Sequence, residues 1–284
     1  MLSFIKQVLI PVWSKLQILS LRSATKEQGL VKLISTLTDI VPDLTDQYTM
    51  FVVEGEFLRL KISACHAFQI DLAQQAISML EKDKYTIVDI GDSSGTHLKY
   101  LEGIYSDQEI STLSVNLDEK AVERIKNKGM KAIQCRAEEL HKHSDFNSES
   151  IDIFLSFEMV EHLMDPVSFL HTMARESECK YFVVTVPYLY RSRVGLHHVR
   201  AGKERLPEYF VAENTHVFEL SPDDWDLVFK FSGWKIVKSV RYTQYPEKNI
   251  LSLVRWAWRK TDFDGFYGVI LEKDDTYSKR YKDW

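Results

Sequence analysis

The sequence predicts an α/β fold: a Rossmann-like, mostly parallel sheet of seven strands with helices on both faces, extended by a helical N-terminal cap and an inserted substrate cap. Three observations predict it. Short β-branched runs alternate with helical stretches from residue 85 onward. The helices open on cap signals at Asp118, Asp165-Pro166 and Ser221-Pro222. The first run ends in a glycine turn between Gly91 and Gly95. Such alternation builds βαβ units with right-handed crossovers, which leave a sheet covered on both sides.

Up to about residue 83 the pattern is helical, so residues 1–83 are assigned to the cap and 84–284 to the sheet domain. The only charges in the first 26 residues are positive, Lys6, Lys15, Arg22 and Lys26, set among Leu2, Ile5, Leu9, Val12, Trp13 and Leu16. That pattern suits a helix lying in a membrane interface, and it also suits one packed on the body or on a second subunit, which is the commoner use. A later helix is expected over Asp71 to Glu81, with Leu72, Ala73, Ala76, Ile77 and Leu80 on one face.

The expected strands are Tyr85–Ile90, Thr112–Asn116, Lys131–Cys135, Ile151–Ser156, Tyr181–Val186, Trp234–Val240 and Phe266–Leu271. Gly129 and Gly233 suit the ends of the helices that precede the third and sixth of these. The stretches near 188–218 and 244–264 supply the substrate cap. In open sheets of this kind the ligand sits at the carboxyl ends of the strands, where strand order reverses.

Composition narrows the function. Apolar residues at 45% and charged residues at 27% allow an ordinary buried core. A net charge of −5 with no long basic run argues against nucleic acid as a partner. Cys65, Cys135 and Cys179 form no CxxC pair, so neither a zinc frame nor a disulfide scaffold is expected. No apolar run reaches the ~18 residues of a bilayer span. The start lacks a cleavage-site pattern, so a cytoplasmic protein is expected, with residues 1–26 available for peripheral membrane contact. Oligomeric state is left open.

The segment Val88-Asp89-Ile90-Gly91-Asp92-Ser93-Ser94-Gly95 carries the strongest local signal. Glycine after a strand lets the backbone approach a ligand, and an acid at the strand end suits a cationic amine. The segment resembles the first signature of class I S-adenosylmethionine-dependent methyltransferases, and later segments follow in that family's order. Leu113-Ser-Val-Asn-Leu117 is similar to its second strand, Cys135-Arg-Ala-Glu-Glu-Leu140 to the turn beside adenine, and Ile151 to Pro166 to the fourth strand with its Glu-His segment. Thr185-Val-Pro187 and His216 through Trp234 complete the set.

The resemblance implies S-adenosylmethionine as cofactor, held by Asp89, Gly91, Ser93, Gly95, Asn116, Leu117, Ala137, Glu138 and Phe157. It implies methyl transfer to an O or N nucleophile of a small polar molecule. The helical cap and the HVFELSP segment are similar to methyltransferases of bacterial surface-polysaccharide pathways, which points to a sugar or glycan precursor. Three residues depart from the family pattern: Ser93 stands at the middle glycine, Asn116 at the ribose-binding acid, and Arg136 at an acid near adenine.

A sulfonium methyl is already activated, so the protein chiefly aligns the acceptor and removes its proton. His162 is the first candidate base, followed by His216, with Glu161 beside them; His197 and His198 lie in the inserted cap. Glu161 and His162 also suit a purely structural role in the loop before Asp165. His197, His198 and His216 with Glu161 lack helical HxxxH spacing, so no metal is expected. Trp256 and Trp258 read as a packed helix face. Two other functions fit such a sheet, a nicotinamide-dependent reductase or epimerase and a non-catalytic scaffold. The missing Tyr-x-x-x-Lys pair and the glycine spacing speak against the first, and the three departures favour the second.

Overall fold

A computed structural model describes residues 2–146, 151–195, 208, 210, 215–261 and 263–281, with side chains from residue 12 onward. Three helices come first: α1 (Leu2–Glu27), α2 (Val31–Ile40) and α3 (Glu56–Ser78). The alternating region follows as β1 (Lys84–Ile90), α4 (Thr96–Ile104), β2 (Glu109–Asn116), α5 (Glu119–Asn127), β3 (Ala132–Gln134), β4 (Ile153–Phe157), α6 (Pro166–Glu176) and β5 (Tyr181–Pro187). Two short strands, β6 (Arg193–Val194) and β7 (Phe218–Glu219), pair only with each other. The chain then runs through α7 (Pro222–Phe231), β8 (Trp234–Thr243), α8 (Arg255–Lys260) and β9 (Gly265–Lys273).

The seven-stranded sheet has the order β3-β2-β1-β4-β5-β9-β8. β1 is parallel to β2 and β4, β2 to β3, and β4 to β5, whereas β9 runs antiparallel to both β5 and β8. The chain winds outward from β1 to β3 and then returns to β4, so strand order reverses between β1 and β4. The expected mixed but mostly parallel sheet is thus present, with β9 as its reversed strand.

Both faces are covered because alternate strand residues point to opposite sides. Ile87, Ile153, Leu155 and Val183 pack with Ala64, Phe68 and Leu72 of α3. Val88, Phe154, Phe182 and Val184 pack with Phe169 of α6 and with Trp225 and Phe229 of α7. The cap signals act as the sequence implies: Asp118 accepts from Lys120 N, Asp165 from Ser168 N and Ser221 from Asp224 N.

The N-terminal region differs from the uniform helical pattern expected of it. Residues 41–55 form no helix. Pro42 removes an amide hydrogen and biases Val41 toward an extended backbone, while Asp43 accepts from Thr45 N to start a turn. In turn, α3 begins at Glu56, well before the expected Asp71, and its apolar face belongs to the sheet's own core.

The described part of α1 packs on the body. Its Trp13 ring lies 4.8 Å from Trp258, and Leu21 is fully buried with Tyr245, Trp258 and Phe263. Trp258 therefore fills the packed face expected of it, while Trp256 is 64% exposed. No helix among the described residues is long and apolar enough to cross a membrane.

Gln28, one residue beyond α1, fastens this helix to the last residue of β8. Its Nε2 donates to Thr243 O at 2.9 Å and its Oε1 accepts from Thr243 N at 3.0 Å. Glu27 accepts from the amides of Glu247 and Lys248. Gln28→Ala removes both bonds to Thr243 and is expected to cost about 2 kcal/mol in urea unfolding, at roughly 1 kcal/mol per bond. Unchanged stability would show that the clamp contributes nothing net.

Candidate active site

The turns that follow β1 and β4 meet where strand order reverses, which is where open α/β sheets bind ligands. Gly91 has φ +94°, and a Cβ there would lie 2.5 Å from Met159 Cγ, so only glycine fits between the turns. Asp92 holds the first turn. Its Oδ1 accepts from Ser94 N and from Gly95 N at 2.7 Å, and its Oδ2 accepts from Ser114 Oγ at 2.6 Å. Gly95 then precedes α4 as its N-cap residue.

Asp89 lies 1% exposed beneath this turn, where its Oδ2 meets His97 Nδ1 at 3.0 Å. The His97 Nε2 lies 3.1 Å from Gln69 Oε1, and Gln69 Nε2 donates to Thr185 Oγ1. Burial pushes the Asp89 carboxyl up to about 6, with the neighbouring Asp92 adding to the rise. Burial pulls His97 down, but the hydrogen bond and charge of Asp89 outweigh it and leave His97 raised. Sequence reasoning assigned Asp89 and missed its partners. The nearest signal was a histidine in the first turn of the helix that follows the glycines.

The other residues assigned to the cofactor are placed as follows. Ser93 sits at the middle position without a positive φ, and its Oγ donates to Gln47 O at 2.7 Å. Asn116 donates to Asp92 O at 2.8 Å and accepts from Asp118 N at 2.8 Å, so part of its amide is committed to the turn. Leu117 is exposed, and Phe157 is buried with its edge against His97, ring centroids 4.9 Å apart. Ala137 and Glu138 begin a 3-10 turn after β3, and Arg136 bonds Glu138 at 3.5 Å. The segment before α3 lies over the glycine turn through Gln47, and Lys128 joins Asp46 at 3.0 Å and Ser94 Oγ at 2.6 Å. No sequence signal marked that strap.

The second turn gathers the predicted catalytic residues. Glu158 leaves β4 with φ +52°, a left-handed conformation that costs of order 1 kcal/mol for a residue with a Cβ. Burial raises its carboxyl to about 8, against a hydrogen bond from Thr185 that lowers it. Glu161 is fully buried and pushed well up, first by burial and then by the charge of Glu158. The His162 Nδ1 lies 2.9 Å from Thr215 O, and His162 stands edge-on to His216 with centroids 4.6 Å apart. The His216 Nδ1 lies 2.7 Å from Glu219 Oε1, and Glu219 also binds Arg193 Nε. Glu161, His162 and His216 therefore converge, while His197 and His198 lie outside the described residues.

Comparison with known proteins agrees with this geometry. Residues 88–176 match the family model described as a methyltransferase domain, a span that includes both turns. Among solved structures, an enzyme described as a sarcosine dimethylglycine methyltransferase of Galdieria sulphuraria is 12% identical, covers 76% of this chain and 88% of its own, and has a TM-score of 0.51. The [4+2]-cyclase SpnF is 9% identical, covers 89% of this chain and 97% of its own, also at 0.51. No curated protein sequence matches significantly. The fold is the Rossmann-like α/β fold of methyltransferases. The matched domain supports a methyltransferase with S-adenosylmethionine as its cofactor.

The Asp89 and His97 protons give the fold a pH signature. Both groups have folded-state values above their unfolded ones, so these two sites hold more protons in the native protein than in the unfolded chain. Stability is then expected to fall as pH rises from 5 to 8, and thermal melts of His97→Gln should show a flatter profile above pH 6.5. A His97→Gln profile as steep as that of the wild type would contradict the pairing.

Proposed function

We propose that this chain transfers the methyl group of S-adenosylmethionine to an O or N nucleophile of a small polar molecule, with a sugar or glycan precursor as the favoured acceptor class. The observation that carries the reading is the meeting of the Gly91 turn with the Glu158-to-His162 turn at the strand-order reversal. A cofactor on the first turn has the second turn's polar side chains beside it. The acceptor preference rests on those side chains. Glu158, Glu161, His162, His216 and Glu219 offer acceptors and donors suited to a polyhydroxyl or amine, and little apolar surface. The sequence resemblance to polysaccharide-pathway enzymes points the same way.

On this reading Asp89, held by His97 beneath the glycine turn, is the carboxylate for the cofactor's amine. His162 heads the candidates for handling the acceptor's proton, with His216 and Glu161 beside it. A non-catalytic scaffold is the second reading. Its support is Asn116, whose amide is partly engaged by the turn where the resembled family uses an acid for ribose.

Thermal shift separates the readings, because a ligand that binds only the native state raises the melting temperature. S-adenosylhomocysteine is expected to raise it and NADH to leave it unchanged. A shift with NADH alone would make the protein a nicotinamide enzyme, and no shift with either would favour the scaffold. With labelled S-adenosylmethionine and a panel of sugars and amines, His162→Ala should keep the S-adenosylhomocysteine shift and lose transfer by ~100-fold or more. Full activity in that variant would remove His162 from the reaction.

A further inference from the structure

Two groups of ligating side chains lie at the carboxyl end of the sheet: Asp89 with Asp92 and His97, and Glu161 with His162 and His216. They differ in one decisive respect. In the first group each carboxylate is satisfied, since Asp92 accepts from two amides and a hydroxyl and Asp89 is bonded to His97. In the second, Glu161 is fully buried, and neither of its carboxylate oxygens has a hydrogen-bond partner among the described residues. One Glu158 oxygen is in the same condition. A buried carboxylate without partners is costly, and Glu158 and Glu219 add like charge to it. Lys61 lowers the Glu158 carboxyl from nearby, and Arg193 is engaged by Glu219.

The histidines supply the complement. The Nδ1 of His162 faces Thr215 O, which can only accept, so Nδ1 carries the proton and Nε2 keeps its lone pair. That Nε2 lies 3.9 Å from Glu161 Oε1. The Nδ1 of His216 faces the Glu219 carboxylate, which fixes the same tautomer. An imidazole whose Nδ1 is held by a carbonyl or carboxylate while Nε2 points into a cluster is the arrangement that orients metal-binding histidines. One ligand atom from each of Glu161, His162 and His216 lies within 4.8 Å of the others, close enough to share one ion.

We propose that Glu161, His162 and His216 bind one divalent transition-metal ion, with Glu158 beside them as a further oxygen donor. Two imidazoles with a carboxylate, and no thiolate, favour Mn²⁺, Fe²⁺, Co²⁺ or Zn²⁺ over Mg²⁺ or Ca²⁺. Three protein ligands leave open positions. This deepens the methyltransferase reading and rests on it for one point only: an open position on the ion would hold the acceptor's oxygen or nitrogen. The ion supplies Lewis-acid polarisation of that atom. His162 is then a ligand that acts on the acceptor through the ion. The sequence alone implied no metal, because the three ligands are separated by a 53-residue interval between His162 and Thr215 that the fold closes.

Metal binding is read without cofactor or acceptor. The full chain, stripped with EDTA, is titrated with Mn²⁺ while free ion is followed by electron paramagnetic resonance. One ion per chain is expected, displaced by Zn²⁺. Glu161→Gln and His216→Ala should each weaken it by ~10-fold or more, by comparison with the loss from disturbed metal-site shells. Metal-free Glu161→Gln should melt no lower than the metal-free wild type, because it exchanges an unpartnered buried carboxyl for an amide of like shape, and it should lose the rise that Mn²⁺ gives the wild type. Stoichiometry near zero, or equal affinity in both variants, would overturn the site. The S-adenosylhomocysteine shift is measured on the same samples. Metal binding without that shift would sink the methyltransferase reading alone, and the shift without metal binding would sink the metal site alone.

Discussion

Everything at the carboxyl end of the sheet depends on the carboxylate of Asp92. Its two oxygens take up the amides of Ser94 and Gly95 and the hydroxyl of Ser114, while its own carbonyl receives Asn116. These bonds close the turn after β1 over the neighbouring β2. They also place an acid at the N-terminal end of α4, where the helix dipole favours negative charge. The direction of α4 follows from that closure, and with it the place of His97 above Asp89. A looser turn would free the helix, the histidine and the floor of the cleft together.

The two turns treat their polar groups in opposite ways. Under the first, Asp89, His97, Gln69 and Thr185 form a chain in which the partners are present on the page of the fold itself. Around the second, Glu158 has a left-handed backbone and Glu161 carries an unpartnered buried carboxylate. Chains spend little stability on such features unless something else over-determines them, and they gather at functional sites.

Local signals were legible in the sequence, and distant ones were not. β-branched runs marked the strands to within a few residues, and Asp118, Asp165 and Ser221 marked helix starts because a cap is a contact between neighbours. Gly91 and Gly95 marked the first turn for the same reason. The strap from Gln47 to Ser93 joins residues 46 apart, and the Gln28 clamp joins residues 215 apart, so no periodicity announces either. Ser93 looked like a departure from the glycine pattern, yet its backbone needs no glycine and its hydroxyl has a use. Asn116 stands at the ribose-binding position, and its amide also takes part in the turn's own bonding. His162 and His216 were named separately, and the bonds of Thr215 and Val217 to the Glu161-His162 turn bring His216 to the end of β4.

The paired bonds of Gln28 to Thr243 imitate, with one side-chain amide, what a further strand would offer the sheet at that point. Among the described residues β8 has no strand beyond it, and an open margin of this kind is a template on which another chain can grow. The amide occupies the final rung, and α1 lies where an invading strand would have to begin.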